Sequence, residues 1–211
     1  METLGKLFGS LAKVKIMKLF LSNADIAFDN EDISKRTKVA TAVLRKELNL
    51  LSKVGLIKKK IFFKEIKKKV KNTKTKQVQI LVTKKKTNGW ALDEKFPYTS
   101  ALYNLLVNMA PLNSSSLIKR LNGAGKLKLV LVSGVFIQNP DSRVDILIVG
   151  DNIKTGSLES AIGVLESEIG KELRYVVLKT EDFKYRLNIY DKLVRDILDH
   201  PHQKIINRLG I

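Results

Sequence analysis

The chain contains no cysteine and only two histidines among its 211 residues. The missing thiols exclude a disulfide scaffold, a cysteine-ligated zinc site, an iron–sulfur cluster and a cysteine nucleophile. Nothing argues for secretion, so a cytoplasmic protein is the expectation. His200 and His202 flank Pro201 beside a predicted helix end, where a capping or surface role suits them better than metal binding. No cofactor and no metal are expected. Long apolar runs are also missing. The longest uncharged stretch, Phe96 to Ile118, contains Pro97, Pro111, three Asn and four Ser, so it cannot span a bilayer as one helix, and no membrane partner is expected. The first twenty residues are basic and carry lysines among their apolar positions without a small-residue cleavage site, so they are not expected to be a signal peptide.

Acidic residues are the second scarcity. There are 39 Lys and Arg against 21 Asp and Glu, a formal charge of +18. Residues 1–90 hold 23 basic and 7 acidic residues, an excess of 16, whereas residues 91–211 hold 16 and 14. Such asymmetry suits a chain whose first half meets a polyanion, nucleic acid or anionic membrane, while the second does something else. A merely solvated lysine-rich surface stays open beside it. A hydrophobic content of 44% is enough for packed cores.

Ser10 is placed to cap a helix over Leu11–Leu21, and Asp29 or Asn30 a short helix over Glu31–Arg36 in which only Ile33 is strongly apolar. After Thr37-Lys38-Val39, the spacing of Val43, Leu44, Leu48, Leu51 and Val54 predicts an amphipathic helix from Ala40 to Val54, closed by Gly55. Two β-prone runs follow, Lys58–Ile66 and Gln77–Thr83, separated by a lysine-rich segment. Thr87-Asn88-Gly89 reads as a turn, Trp90 and Phe96 as core contacts, and Tyr98–Met109 as an apolar helix ended near Pro111.

Helix, short helix, turn, amphipathic helix and basic hairpin is the order of a winged helix-turn-helix, and residues 5–85 resemble that family, most specifically over Thr41–Leu56. The resemblance implies a recognition helix in the major groove of double-stranded DNA and a wing on phosphates. Lys38, Thr41, Arg45, Lys46 and Asn49 become candidates for base or nearby phosphate contacts, and Lys67, Lys68, Lys69, Lys71, Lys74 and Lys76 for wing contacts. Six such wing contacts would give a log–log salt slope near −5, at roughly −0.9 per phosphate. Winged helices also serve as dimerisation or protein-docking modules, and that reading predicts no such slope.

In the second half, Asn122-Gly123-Ala124-Gly125-Lys126 is a poor phosphate loop, because a strand rather than a helix follows Lys126. Lys126–Val132, Arg143–Val149 and Leu173–Lys179 read as strands, with helices over Ser114–Leu121, Leu158–Ile169 and from Glu181 to about Asp199. A small mixed sheet covered by helices is expected. Ser133-Gly134 after one strand and Asp141–Val149 around the next resemble a minimal nucleotidyltransferase domain. In that family a glycine-serine turn holds phosphates and an Asp-x-Asp pair binds two metals. Here the glycine-serine order is reversed, and Arg143 stands two residues before Asp145, so alternate strand positions carry a guanidinium and one carboxylate. Ser133, Gly134, Arg143 and Asp145 therefore read as a possible vestigial nucleotide site, with Asp145 paired to Arg143 or a nearby lysine.

The overall expectation is an α+β protein resembling small prokaryotic putative transcriptional regulators. Its parts are a winged-helix domain over 1–88, a helical connector over 89–122 and a catalytically degenerate nucleotidyltransferase-like domain over 123–211. It would bind DNA as a homodimer and use its second half for assembly or sensing. The alternative is an active nucleotidyltransferase using Asp141, Asp145 and Glu172.

Overall fold

The computed structural model describes residues 1–71, 78–109, 114–139 and 141–211, and their side chains except those of 67–71, 78–81, 114 and 115. The class is α+β, with two separate sheets. Among the described residues no helix is long and apolar enough to cross a membrane.

The first half begins with α1 (Glu2–Leu7) and α2 (Leu11–Ser22), and Ser10 accepts from the Lys13 N–H to cap the second. α3 (Asn30–Thr37) is capped by Asp29, which accepts from the Asp32 N–H at 2.8 Å, and ends on Lys38 in the left-handed region. α4 (Thr41–Val54) ends on Gly55, also left-handed at φ 89°. Val14, Ile16, Phe20, Ile33, Leu44, Leu48 and Leu51 form one core with the hairpin base at Leu56, Ile57 and Leu92.

The registry of α4 differs from the sequence reading. Leu44, Glu47, Leu48 and Leu51 face the core, while Val43 and Val54 are 45% and 58% exposed. At 100° per residue those two valines fall beside the buried stripe rather than within it. Glu47 occupies the remaining core-facing position, with Lys13 of α2 at 3.8 Å.

The hairpin is longer than the two expected runs. β1 (Ile57–Lys71) and β2 (Val78–Leu92) pair in unbroken antiparallel register from Ile57 opposite Leu92 to Lys71 opposite Val78. Thr87-Asn88-Gly89 is thus strand, not turn. Gly89 lies where β2 meets a third piece of chain, since Phe28 and Trp90 exchange both backbone hydrogen bonds at 2.9 Å. A Cβ on Gly89 would sit 2.4 Å from the Phe28 carbonyl oxygen and 2.7 Å from the Phe62 ring, so close approach rather than turn geometry requires the glycine. Trp90 packs against the first core and donates to Asn30, and Phe96 packs there too.

α5 (Thr99–Tyr103) runs into a π-helical turn at Asn104–Asn108, and Leu106 joins the first core. α6 (Ser114–Leu121) instead places Leu117 and Leu121 in the core of the second half. There, β3 (Lys126–Val132), β4 (Ile146–Asp151), β5 (Tyr175–Leu178) and β6 (Gln203–Asn207) form a mixed sheet of order β5-β4-β3-β6. Only β4 and β5 are parallel, joined across α7 (Thr155–Ile169). Both faces are covered: Val130, Val132, Ile146 and Ile148 meet α6 and α7, while Leu129, Leu131, Leu147 and Val149 meet α8 (Thr180–Asn188) and α9 (Lys192–Asp199). Burial on both faces explains why these strands read as continuous apolar runs. The expected single C-terminal helix is two, broken at Tyr190, and β6 was not expected at all.

Candidate functional site

α4 presents its polar side to solvent. Thr41, Arg45, Lys46 and Asn49 are all exposed, and Thr41, Arg45 and Asn49 follow one another at four-residue intervals along the flank of the buried stripe of Leu44, Leu48 and Leu51, turning away from it toward Asn49. Lys53 extends the same basic side. Lys38 does not join them. Its ammonium donates to the Ser160 carbonyl at 3.3 Å in α7, because the left-handed cap turns the chain toward the second half.

Of the expected wing residues, Lys67, Lys68, Lys69 and Lys71 lie on β1, but their side chains fall outside the described residues, as do Lys74 and Lys76 altogether. The described part of the hairpin adds exposed lysines that the sequence reading did not select: Lys59, Lys60, Lys84, Lys85 and Lys86. Lys59 and Lys60 fall within the first expected run, and the extension of β2 beyond Thr83 is what brings Lys84, Lys85 and Lys86 onto the same ribbon.

The ribbon is fixed to the helices by Lys64. Its ammonium donates to Asp29 at 2.8 Å and to Asp32 at 2.7 Å, joining β1 to the first turn of α3. Burial alone would raise the Asp29 pKa, but the hydrogen bonds from Lys64 and from the Asp32 N–H outweigh it and hold that carboxyl below its ordinary value. Burial likewise works against the Lys64 charge, and the two carboxylates overcome it, raising its pKa. One ammonium thereby offsets part of the acidic charge at the start of α3 and engages Asp29 and Asp32 within the fold.

Ser133, Gly134 and Asp145 come together, but as a clasp. Asp145 is 1% exposed, and its carboxylate accepts from the Val135 N–H at 3.1 Å, the Arg174 N–H at 2.9 Å and the Arg174 guanidinium at 3.3 Å. Its backbone N–H and carbonyl bind Arg174 and Ser133. The Ser133 hydroxyl donates to the Val144 carbonyl. Gly134 has φ 56°, and a Cβ there would lie 1.9 Å from Asp145 Oδ1. Glycine is required so that the turn can close on the carboxylate.

Arg143 is not the partner of Asp145. It lies 2.8 Å from Asp196 of α9, an ion pair without hydrogen-bond alignment, because residues 143–145 precede β4 rather than belong to it. Arg174 takes the partner's place, and only the parallel β4–β5 pairing brings it there. Glu172 pairs with Arg36 of α3 at 2.7 Å. Among the described residues no group of three or more His, Asp or Glu is arranged to hold a metal ion. His200 ends α9, its Nδ1 lying 2.8 Å from the Asp196 carbonyl, in agreement with a capping role.

Comparison with protein-family models, with curated proteins and with solved structures finds no match to this chain.

Proposed function

We propose that the chain is a double-stranded DNA-binding transcription regulator of winged helix-turn-helix type, in which α4 reads the major groove and the β1–β2 ribbon lies along phosphates. The observation that carries this reading is the exposed line of Thr41, Arg45 and Asn49 on a helix that is anchored in the core by the adjoining stripe of Leu44, Leu48 and Leu51. Short polar and guanidinium side chains at that spacing suit base edges, and lysines on an extended ribbon suit a phosphate track. A homodimer would set two such helices about 34 Å apart along one DNA face. The second half then serves assembly or sensing rather than nucleotide transfer, since both oxygens of Asp145 are occupied by N–H donors.

Fluorescence anisotropy with duplex DNA over a salt series tests the proposal. Binding that weakens with a log–log slope near −5 or steeper supports it, from about −0.9 per phosphate contact. In a selected binding site, Arg45→Ala should cost about 1–3 kcal/mol at one base position, while Lys86→Ala weakens all sequences alike. Failure to bind duplexes at low ionic strength, or identical behaviour of the two variants, overturns it.

A further inference from the structure

Between the two halves lies a cleft of about 500 Å³, separate from the exposed face of α4. One wall comes from α2 and the π-helical turn; the other comes from the turn after β3, the end of α7 and Arg174. Lys18 is the residue in it that packing does not explain. It is 4% exposed, yet among the described residues its ammonium makes no hydrogen bond or ion pair. Lys15, one turn earlier, is satisfied by Ser167 at 3.1 Å. Burial holds Lys18 below the usual lysine range, partly offset by the Glu168 carboxylate, which is itself engaged by Arg120.

Ser22 stands four residues after Lys18, on the same helix side, and its hydroxyl is buried without a partner among the described residues. The Ser22 hydroxyl is a buried donor that is costly unless something accepts from it, and the Lys18 ammonium opens on the same end of the cleft. From the facing wall, Lys171 adds a second cation beside the Arg174 guanidinium, which Asp145 already holds from behind, and no carboxylate lines the cleft among the described residues. Tyr103, Val107 and Phe136 supply an apolar flank. The volume is within the range of small-molecule sites.

The geometry points to a binding site for a small organic phosphate, its head held by Lys18, Ser22 and the Lys171–Arg174 wall and its flat apolar body lying against Tyr103 and Phe136. Lys18, Lys171 and a hydroxyl converging from two walls, with the remaining N–H groups of the Asp145-paired Arg174 beside them, match a dianion with several acceptor oxygens better than a singly charged carboxylate. The site goes beyond the DNA-binding reading and stands without it.

Titration calorimetry on the full chain at fixed ionic strength, with phenyl phosphate, inorganic phosphate and benzoate as probes, tests this. Phenyl phosphate should bind most tightly and benzoate least. Lys18→Met should weaken phenyl phosphate about tenfold or more. The same variant should raise the Tm of the ligand-free chain, because methionine keeps the apolar stem and removes a charge that burial disfavours. Ser22→Ala and Lys171→Ala should each weaken binding, while the distant Lys86→Ala leaves it unchanged. The proposal fails if wild type binds none of the probes, or if benzoate equals phenyl phosphate. It also fails if Lys86→Ala weakens binding as much as Lys18→Met, or if Lys18→Met lowers the Tm. Should Lys18→Met not fold, unchanged binding in both Ser22→Ala and Lys171→Ala is equally fatal.

Discussion

Asp145 concentrates more of the second half's polar organisation than any neighbouring residue, because one carboxylate closes the Gly134 turn, holds Arg174 and ties the start of β4 to the start of β5. Asp145→Ala would leave the Val135 and Arg174 N–H groups without their acceptor, and should lower unfolding free energy by about 3 kcal/mol in urea titrations. Gly134→Ala should destabilise by a similar amount, since φ 56° and the 1.9 Å approach both oppose a side chain. The approach is to Asp145 itself, so the two costs should not add. The double variant is expected to cost at least about 1 kcal/mol less than the sum of the two, and strict additivity would deny the contact. The Ser-Gly pair and the aspartate were visible as a constellation in the sequence. Their use as a structural clasp was not, because Arg174 is twenty-nine positions away and arrives only through strand pairing.

At the scale of elements, α4 shows how periodicity leaves a residual choice. Several apolar residues compete for one stripe, and the buried one is decided by what α2 and β1 present. Leu48→Ala should cost about 2–5 kcal/mol, whereas Val54→Ala should stay within about 0.5 kcal/mol. Equal costs would place the helix in the other registry. The link from β1 to α3 has a pH signature. Asp29 lies below its ordinary value of 3.8 in the folded chain, so its contribution is present above that value and is lost as pH falls through the lowered one. Lys64 has a raised pKa, so its contribution is present below 10.5 and lost as pH climbs through the higher value. Lys64→Met should therefore cost about 1 kcal/mol at neutral pH, with the gap from wild type shrinking in acid. A gap constant down to strongly acidic pH would contradict the ion pair.

In the whole molecule the two halves meet along α2, α3 and α7. Asn23 donates to the Gly170 carbonyl at 2.8 Å, Lys15 to Ser167, and Arg36 pairs with Glu172. Gly170, at φ 87°, lets the end of α7 touch the backbone of α2, since a Cβ there would lie 2.5 Å from the Lys18 carbonyl carbon. Gly170→Ala should part the halves. Scanning calorimetry is expected to show one transition for wild type and two for the variant, and a single unshifted transition in both would mean the contact is dispensable.

Local features were legible from the sequence alone: the cap at Ser10, a second cap at Asp29 or Asn30, the stop at Gly55, the apolar strands of the second half and the charge asymmetry. Each rests on interactions within a few residues or on composition. Tertiary structure alone decided which valines of α4 stay wet, why Gly89 sits inside a strand, that Lys38 turns to Ser160, that Arg174 rather than Arg143 holds Asp145, and that Lys18 is buried beside a cleft. The physical reason is common to all five. Each depends on a neighbour distant along the chain, and periodicity reports which side of an element is apolar but not what that side will meet.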